Sequence, residues 1–388
     1  MDKIHDIFKC PVERSNIDEE VLKNYLNFLK SAKNNKIRKL FYRLIYPISY
    51  WNLNNKRSFL FADSRLYSDI IKGEYVKNNS FLFSGLRSSL LAAKHFIPFY
   101  IFYEHIAEIY ELYMNDPLLI SKNASTLINK TIKIMKSVSP KFLLLASDCL
   151  FVERFLIYCA REAGIKSICI QHGIFLSRIS RFLDGKYADY MFLWGDSQAN
   201  IYKNNEFDMK KIRIIGYPYN IVNSKNRISD KKKVCILGQP YETYRAELGN
   251  RKKIIFKELI NILENNGFKV SYKPHPGEKN FSFYPSNVNL YKRNLKHALS
   301  EFDVFIALDS TALLEASIYG KIAIQLFDEN FESDHFAKLG YSYEYPATDL
   351  KNIPNFIISL DKAYNVPKSS ILLNNNVSKR FLDILKTI

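Results

Sequence analysis

Two histidines in this chain stand where chemistry can be done on a substrate. His275 lies in Lys273-Pro274-His275-Pro276-Gly277, directly after an apolar run that ends at Tyr272. A proline on either side fixes the backbone and holds the imidazole in one direction. A histidine so presented suits work on a phosphate, donating a hydrogen bond or protonating a leaving group, and Lys273 would add positive charge beside it. Two further clusters fall at comparable places. In Gly238-Gln239-Pro240 the glycine lets the backbone approach a ligand and the Gln239 amide can hydrogen-bond to it. In Asp309-Ser310-Thr311-Ala312-Leu313-Leu314-Glu315, Ser310 or Thr311 would cap a helix and offer hydroxyls and N–H groups to an anion. Glu315, one turn on, would reach a ribose diol. Each cluster also has a plain reading: Gly-x-Pro marks many turns, His275 would then merely face water, and capping alone accounts for two hydroxyls. Taken together they describe a site for a diphosphate or phosphodiester leaving group.

His172, in Gln171-His172-Gly173, is the candidate general base for an acceptor hydroxyl, since an imidazole is suited to that work near neutral pH. Asp148 would orient it or serve as the base itself. Gln171 and Gly173 would line the acceptor side with Asp184, and Asp189 is a weaker alternative. His5, His95 and His105 read as structural. No Asp-x-Asp pair of the kind that holds a metal is present. Fixed dipoles can stabilise a departing nucleotide unaided, so neither metal nor cofactor is expected.

These residues need strands to carry them. Phe142 to Ala146 is a short continuous apolar run, the mark of a strand buried on both faces. A helix over about Phe151 to Ala163 stops at Gly164, and a strand over Ser167 to Ile170 ends at Gln171-His172-Gly173. Asp148 and His172 thus follow neighbouring strands of one βαβ unit, where open α/β sheets bind ligands. Strands over Tyr190 to Leu193 and Ile212 to Ile215 follow. After a lysine-rich stretch from Asn223 to Lys233 the alternation restarts. Strands are predicted at Val234 to Leu237, Lys269 to Tyr272, near Asn289, Val304 to Leu308 and Ile322 to Leu326. Helices are predicted at Arg251 to Asn265, Leu295 to Glu301 and Thr311 to Tyr319, with tail helices at Asn352 to Tyr364 and Ser369 to Ile388. The first hundred and thirty residues read as mixed: an early amphipathic helix, a strand at Ser58 to Phe61, and long helices from about Leu86 to Met135.

At 388 residues the chain exceeds one ordinary core. Its balance of 47% hydrophobic and 24% charged residues is that of a folded protein. No stretch matches the ~20 uncharged apolar residues of a membrane span. Leu90 to Tyr110, interrupted by Lys94, His95, Glu104 and His105, reads as a buried helix. The first residues lack a secretory layout, which predicts a cytoplasmic location. Five cysteines form no CxxC pair and read as small hydrophobes. A net charge of +17 invites a nucleic-acid reading, but no nucleic-acid-binding signature accompanies it, and none is expected as partner. Lys30, Lys33, Lys36, Arg38, Lys39 and Arg43 alternate with Leu40, Phe41, Leu44 and Ile45. That segment would rest at an anionic membrane surface, the inner face of the plasma membrane, or form a solvated helix face.

The fold expected is therefore α/β of the GT-B layout, two Rossmann-like domains facing a central cleft. Residues 1–228 form an acceptor-side domain with extra helices, and 229–365 a nucleotide-sugar-binding domain. Residues 366–388 form a helix packing back across the hinge. Over roughly Lys141 to Asp328 the chain resembles known families. Pro274-His275-Pro276 followed by Ser310-Thr311 resembles the HP and S-S/T motifs of bacterial sialyltransferases and Kdo transferases. Gly238-Gln239-Pro240 resembles the first-strand turn of lipooligosaccharide sialyltransferases. Gln171-His172-Gly173 with Gly216-Tyr217-Pro218 is similar instead to capsule polysaccharide and glycerophosphotransferase-type proteins. The sialyltransferases carry an acidic-acidic-glycine base motif where this chain has Gln171-His172-Gly173.

The resemblance implies an inverting, metal-independent glycosyltransferase. Its donor would be a nucleotide-sugar, first a CMP-linked ulosonic acid such as sialic acid or Kdo. Its acceptor would be a growing or lipid-linked glycan of a capsule, lipopolysaccharide or O-antigen. The alternatives are a UDP-hexose-type transferase or glycerophosphotransferase, a non-hydrolysing sugar epimerase, and a non-catalytic nucleotide-sugar-binding subunit of a capsule machine.

Overall fold

The computed structural model describes residues 56–62, 70, 73–84, 97–101, 120–148, 151–173, 185–218, 232–243, 245–278, 288–331, 333–360 and 377–388. The basic segment around Lys30 to Ile45, the lysine-rich boundary after Asn223, and Asp184 lie outside them. Two all-parallel sheets organise the rest. The first contains β1 (Phe59–Phe61), β2 (Ser80–Ser84), β3 (Phe99–Ile101), β4 (Phe142–Leu145), β5 (Lys166–Ile170), β6 (Tyr190–Leu193) and β7 (Ile212–Ile214). The second contains β8 (Lys233–Leu237), β9 (Lys269–Lys273), β10 (Asn289–Leu290), β11 (Val304–Ala307), β12 (Ile322–Phe327) and β13 (Tyr343–Pro346).

Strand order is β3-β2-β1-β4-β5-β6-β7 in one sheet and β10-β9-β8-β11-β12-β13 in the other. Both run outward from a central first strand and then reverse, the doubly wound Rossmann order. In each sheet the reversal falls between the first and fourth strands, β1 against β4 and β8 against β11. Strands covered on both faces need apolar residues at every position. Accordingly Phe59, Leu60 and Phe61 are all buried, as are Phe142 to Leu145 and Val304 to Ala307.

Helices cover both faces. They are α1 (Glu74–Asn78), α2 (Ile120–Val138), α3 (Phe151–Glu162), α4 (Asp196–Asn204), α5 (Ala246–Asn265), α6 (Leu295–Glu301), α7 (Ala312–Ile318), α8 (Ile353–Ser359) and α9 (Val377–Leu385). The final helix belongs spatially to the first sheet. Val377, Phe381 and Leu385 pack among Phe59, Phe142, Ile168 and Phe192, and the Arg380 guanidinium donates to the Ile214 carbonyl. The chain therefore leaves the second domain and finishes on the first.

One expectation needs correction. The segment Leu90 to Tyr110 is not one buried helix, because Phe99–Ile101 pairs with β2 as a strand. Pro98 precedes it, and the β-branched and aromatic residues that follow favour extension. The last helix is described over Val377–Leu385, and the expected start at Ser369 lies outside the described residues. The strands β2, β3 and β13 were not anticipated. The first two turn the apparently mixed amino-terminal region into half of a complete sheet. Among the described residues, no helix is long and apolar enough to cross a membrane.

Candidate active site

The second domain brings its three clusters to one edge. Gly238-Gln239-Pro240 leaves β8, the His-Pro turn leaves β9, and Asp309-Ser310-Thr311 leaves β11, all at the carboxyl ends of neighbouring parallel strands. This is the strand-order reversal, where doubly wound sheets bind ligands. Beneath the turn lies a buried network. Lys252 and Glu278 side chains are both fully enclosed and meet at 2.5 Å. The Lys252 ammonium also donates to the Gln239 carbonyl at 2.6 Å and to Glu242 at 2.8 Å. Glu278 accepts from the Tyr272 hydroxyl at 2.7 Å and from the His275 backbone N–H at 2.6 Å. One buried pair thus ties the β8 turn to the His275 turn. Gly238 is required by that proximity, since a Cβ there would lie 2.1 Å from a Glu278 carboxylate oxygen and 2.3 Å from the Tyr272 hydroxyl.

The His275 ring is held from its own turn. Its Nδ1 accepts the Gly277 N–H at 3.0 Å, so a neutral ring carries its proton on Nε2. Desolvation against the turn holds the imidazole below the ordinary histidine range; Glu278 opposes this and Lys252 reinforces it. The neutral Nε2–H form is therefore favoured, a hydrogen-bond donor at the sheet edge. Lys273 does not join it. Its ammonium donates to the Arg293 carbonyl at 2.5 Å and lies toward the Tyr291 ring, on the β10 side. The expected phosphate contact from Lys273 is corrected accordingly.

At the end of β11, Thr311 occupies the cap position of α7 without a side-chain capping bond. The cap falls to Ser310, whose Oγ accepts the Ala312 N–H at 3.3 Å, and Ser310 is buried. Ser310 is therefore a structural hydroxyl, and Thr311 is the one placed toward the cleft. Asp309 sits near the buried Tyr241 hydroxyl, and burial pushes its carboxyl up to about 6. Glu315 is raised by burial, opposed by a hydrogen bond from Tyr217 of the first domain.

Across the cleft, His172 leaves β5 with the opposite arrangement. Its Nδ1 lies 2.6 Å from the Ala146 carbonyl at the end of β4. A carbonyl can only accept, so Nδ1 carries the proton and Nε2 presents a lone pair. The residue is exposed. Among the described residues no hydrogen bond joins His172 to Asp148, where one had been expected. Asp148 is fully buried, its carboxylate accepting the Gly185, Tyr187 and Ala188 N–H groups at 2.7, 2.7 and 2.8 Å. Through these bonds it anchors the loop into β6. Asp189 similarly binds the Ser167 N–H and hydroxyl. Gln171 is also corrected. It is 1% exposed, accepts the Trp194 N–H at 2.8 Å, and donates to Gln198 at 2.7 Å and to the Gly173 carbonyl at 2.8 Å. It shapes the turn that presents His172 rather than touching an acceptor.

The halves meet closely. A Cβ on Gly173 would lie 3.7 Å from Thr311 Oγ1, so the His172 turn faces the α7 cap directly. Gln198 donates to the Tyr341 hydroxyl at 3.1 Å, and Ser197 lies 2.5 Å from the same oxygen. Gly216, at φ +90°, takes a conformation open to glycine and delivers Tyr217 to the second domain. There Tyr217 and Trp194, ring centroids 4.9 Å apart, join the apolar cluster of Leu237, Phe305, Leu313 and Phe336.

Lys252 and Glu278 carried a usable signal. Lys252 occupies the apolar stripe of α5 continued by Ile255, Phe256 and Leu259. A lysine placed in a core stripe requires a buried carboxylate partner.

No protein-family model matches the chain, and no curated protein matches it in sequence. Solved structures match its shape. The S. aureus MnaA–UDP co-structure has a TM-score of 0.56 at 12% identity, covering 86% of this chain and 96% of that one. The Methanocaldococcus jannaschii UDP-GlcNAc 2-epimerase in complex with UDP-GlcNAc and UDP gives 0.56 at 13%, covering 86% and 100%. The spinosyn forosaminyltransferase SpnP gives 0.51 at 12%, covering 85% and 98%. The fold is GT-B: two Rossmann-like domains with their strand ends turned to a common cleft.

Proposed function

We propose that this protein is an inverting glycosyltransferase that moves a sugar from a pyrimidine nucleotide donor to a growing surface glycan. The observation that carries the reading is the opposed presentation of two histidines at strand ends of the two domains. His172 offers a lone pair at Nε2, held by a carbonyl, whereas His275 offers a proton at Nε2, held by an amide N–H. His172 takes the proton of the acceptor hydroxyl as that oxygen bonds to the anomeric carbon. The bond from that carbon to the leaving phosphate oxygen breaks on the opposite face, which inverts the centre. His275 donates to the phosphate oxygen as it gains charge, and Thr311 contributes a hydroxyl beside it. Gly238 and Gln239 bring backbone and amide to the nucleotide, Pro240 and Pro276 stiffen their turns, and Glu315 takes the ribose. The His-Pro turn favours a CMP-linked ulosonic acid as donor. The UDP and UDP-GlcNAc named for two structural neighbours favour a uridine nucleotide. Capsule, lipopolysaccharide and O-antigen glycans are the acceptor class, and no cofactor is required.

The test is a thermal-shift screen against CMP, CDP, UDP, GDP and ADP, with and without magnesium, because a ligand bound to the native state raises its melting temperature. A rise with CMP or UDP that disappears in His275→Ala supports the donor site. No rise with any nucleotide overturns it. The likeness to an epimerase makes a second reading worth testing on the same material. An epimerase would convert its nucleotide-sugar without an acceptor, whereas the transferase releases nucleotide in proportion to acceptor glycosylated.

A further inference from the structure

The opposite edge of the first sheet carries a second feature. Because β5, β6 and β7 are parallel, their starts share one edge, away from the strand ends that bear His172. There, Arg161, Lys166, Asp189, Tyr190, Lys210 and Lys211 line an open cavity of about 460 Å3. Four cations face one carboxylate, and that carboxylate already accepts two hydrogen bonds from Ser167. Among the described residues none of the four cations is paired with a carboxylate. Arg161 and Lys211 donate only to the Tyr187 and Ala188 carbonyls. Lys166 lies 5.7 Å from the Tyr190 ring centroid, and Arg213 lies 5.6 Å from the same ring. The carboxyl end of α3 borders the cavity at Gly164, but its carbonyls do not account for this charge. The Gly164 and Ile165 N–H groups cap Arg161 and Ala160, and a helix end is worth only about half a charge.

Gathering unpaired cations around a concavity is costly in isolation and favourable when an anion completes it. Exposed lysines on a flat face repel little; here the end of α3, the start of β5 and the turn before β7 bring their cations to one space. We propose that this cavity is a phosphate-binding site, separate from the cleft and taking a phosphomonoester or phosphodiester. Arg161 supplies a planar fork and Lys166, Lys210 and Lys211 supply point charges. Tyr190 forms an apolar wall suited to whatever the phosphate is attached to. The phosphate is that of a soluble phosphorylated molecule or of a lipid headgroup.

The experiment uses the full chain in the His275→Ala background, so that phosphate bound in the cleft is separated from phosphate bound here. Inorganic phosphate is titrated calorimetrically at constant ionic strength, with and without the added changes Lys166→Ala and Lys210→Ala. Both lysines are exposed and, among the described residues, their ammonium groups donate no hydrogen bond, so their removal should leave the fold intact. Affinity at least about tenfold weaker in the double lysine variant supports the site. Equal affinity with and without the lysines overturns it, as does the absence of phosphate binding once His275 is replaced. Sedimentation with phosphatidylcholine vesicles, with and without phosphatidylglycerol, identifies the source. Lysine-dependent binding to the anionic vesicles, displaced by phosphate, assigns a headgroup. Phosphate binding without vesicle binding assigns a soluble ligand.

Discussion

The two strand ends that face one another use the same side chain in opposite states. His172 is steered by a carbonyl from the neighbouring strand, and His275 by an N–H from its own turn. One bond of opposite polarity decides which ring nitrogen keeps the proton, and so whether the ring accepts or donates toward the cleft. Their supports differ as much. His172 rests on a neutral framework of Gln171, Gln198, Trp194 and Tyr341 that crosses between domains. His275 rests on a buried ion pair confined to its own domain. Under the proposed reaction the acceptor would meet the neutral framework and the leaving group the charged one.

Breaking the comparison on the acceptor side should have the largest effect. His172→Ala is expected to lower kcat about 10²–10⁴-fold while nucleotide binding, measured by thermal shift, stays unchanged. A loss of nucleotide binding in that variant would place His172 on the donor. The next largest effect lies under the other histidine. Lys252→Met leaves Glu278 buried without its ammonium and should cost ~3–5 kcal/mol in urea unfolding. Glu278→Gln, which keeps the Tyr272 contact, should cost less, and equal costs would show that the ion pair is not the support.

His275→Ala comes third, at about 10²–10³-fold in kcat, with weaker nucleotide binding as well. That double readout sharpens its contrast with His172. The smallest effect is at Asp309, whose carboxyl burial raises from 3.8 to about 6. A group raised on folding binds its proton more tightly in the native state, so its contribution is present below its unfolded value and is lost as pH rises through about 6. Asp309→Asn should therefore melt later than the parent above about pH 7, by ~1–3 kcal/mol, with the gap closing toward about pH 4. Parallel melts across that range check the sign.

Much of the scaffold was legible because parallel strands covered on both faces write themselves as unbroken apolar runs. Phe142 to Leu145 and Val304 to Ala307 are examples, each followed by the polar residues of its strand end. The runs Ser80–Ser84 and Phe99–Ile101 were obscured because they begin with a serine or lie among apolar residues of helical spacing. Periodicity cannot separate a short buried strand from a buried helix. The placing of His172 and His275 just beyond strand ends was legible from type and position. The roles of Asp148 and Gln171 were not, because a carboxylate serving backbone N–H groups and one serving an imidazole look alike in sequence. Only the three-dimensional positions of Gly185, Tyr187 and Ala188 decide between them.

Trp194 and Tyr217 have a practical bearing on how this molecule can be handled. Both come from the first domain, both are at most 2% exposed, and both lie inside a cluster whose other members come from the second. Two large aromatic rings uncovered at once would leave matching greasy faces on separated halves. With α9 returning to the first sheet as well, a cut near the boundary would strip each half of part of its interior. The chain is thus a two-lobed body that cannot be dissected: fragments made separately should aggregate, and the same fragments made together should reassemble.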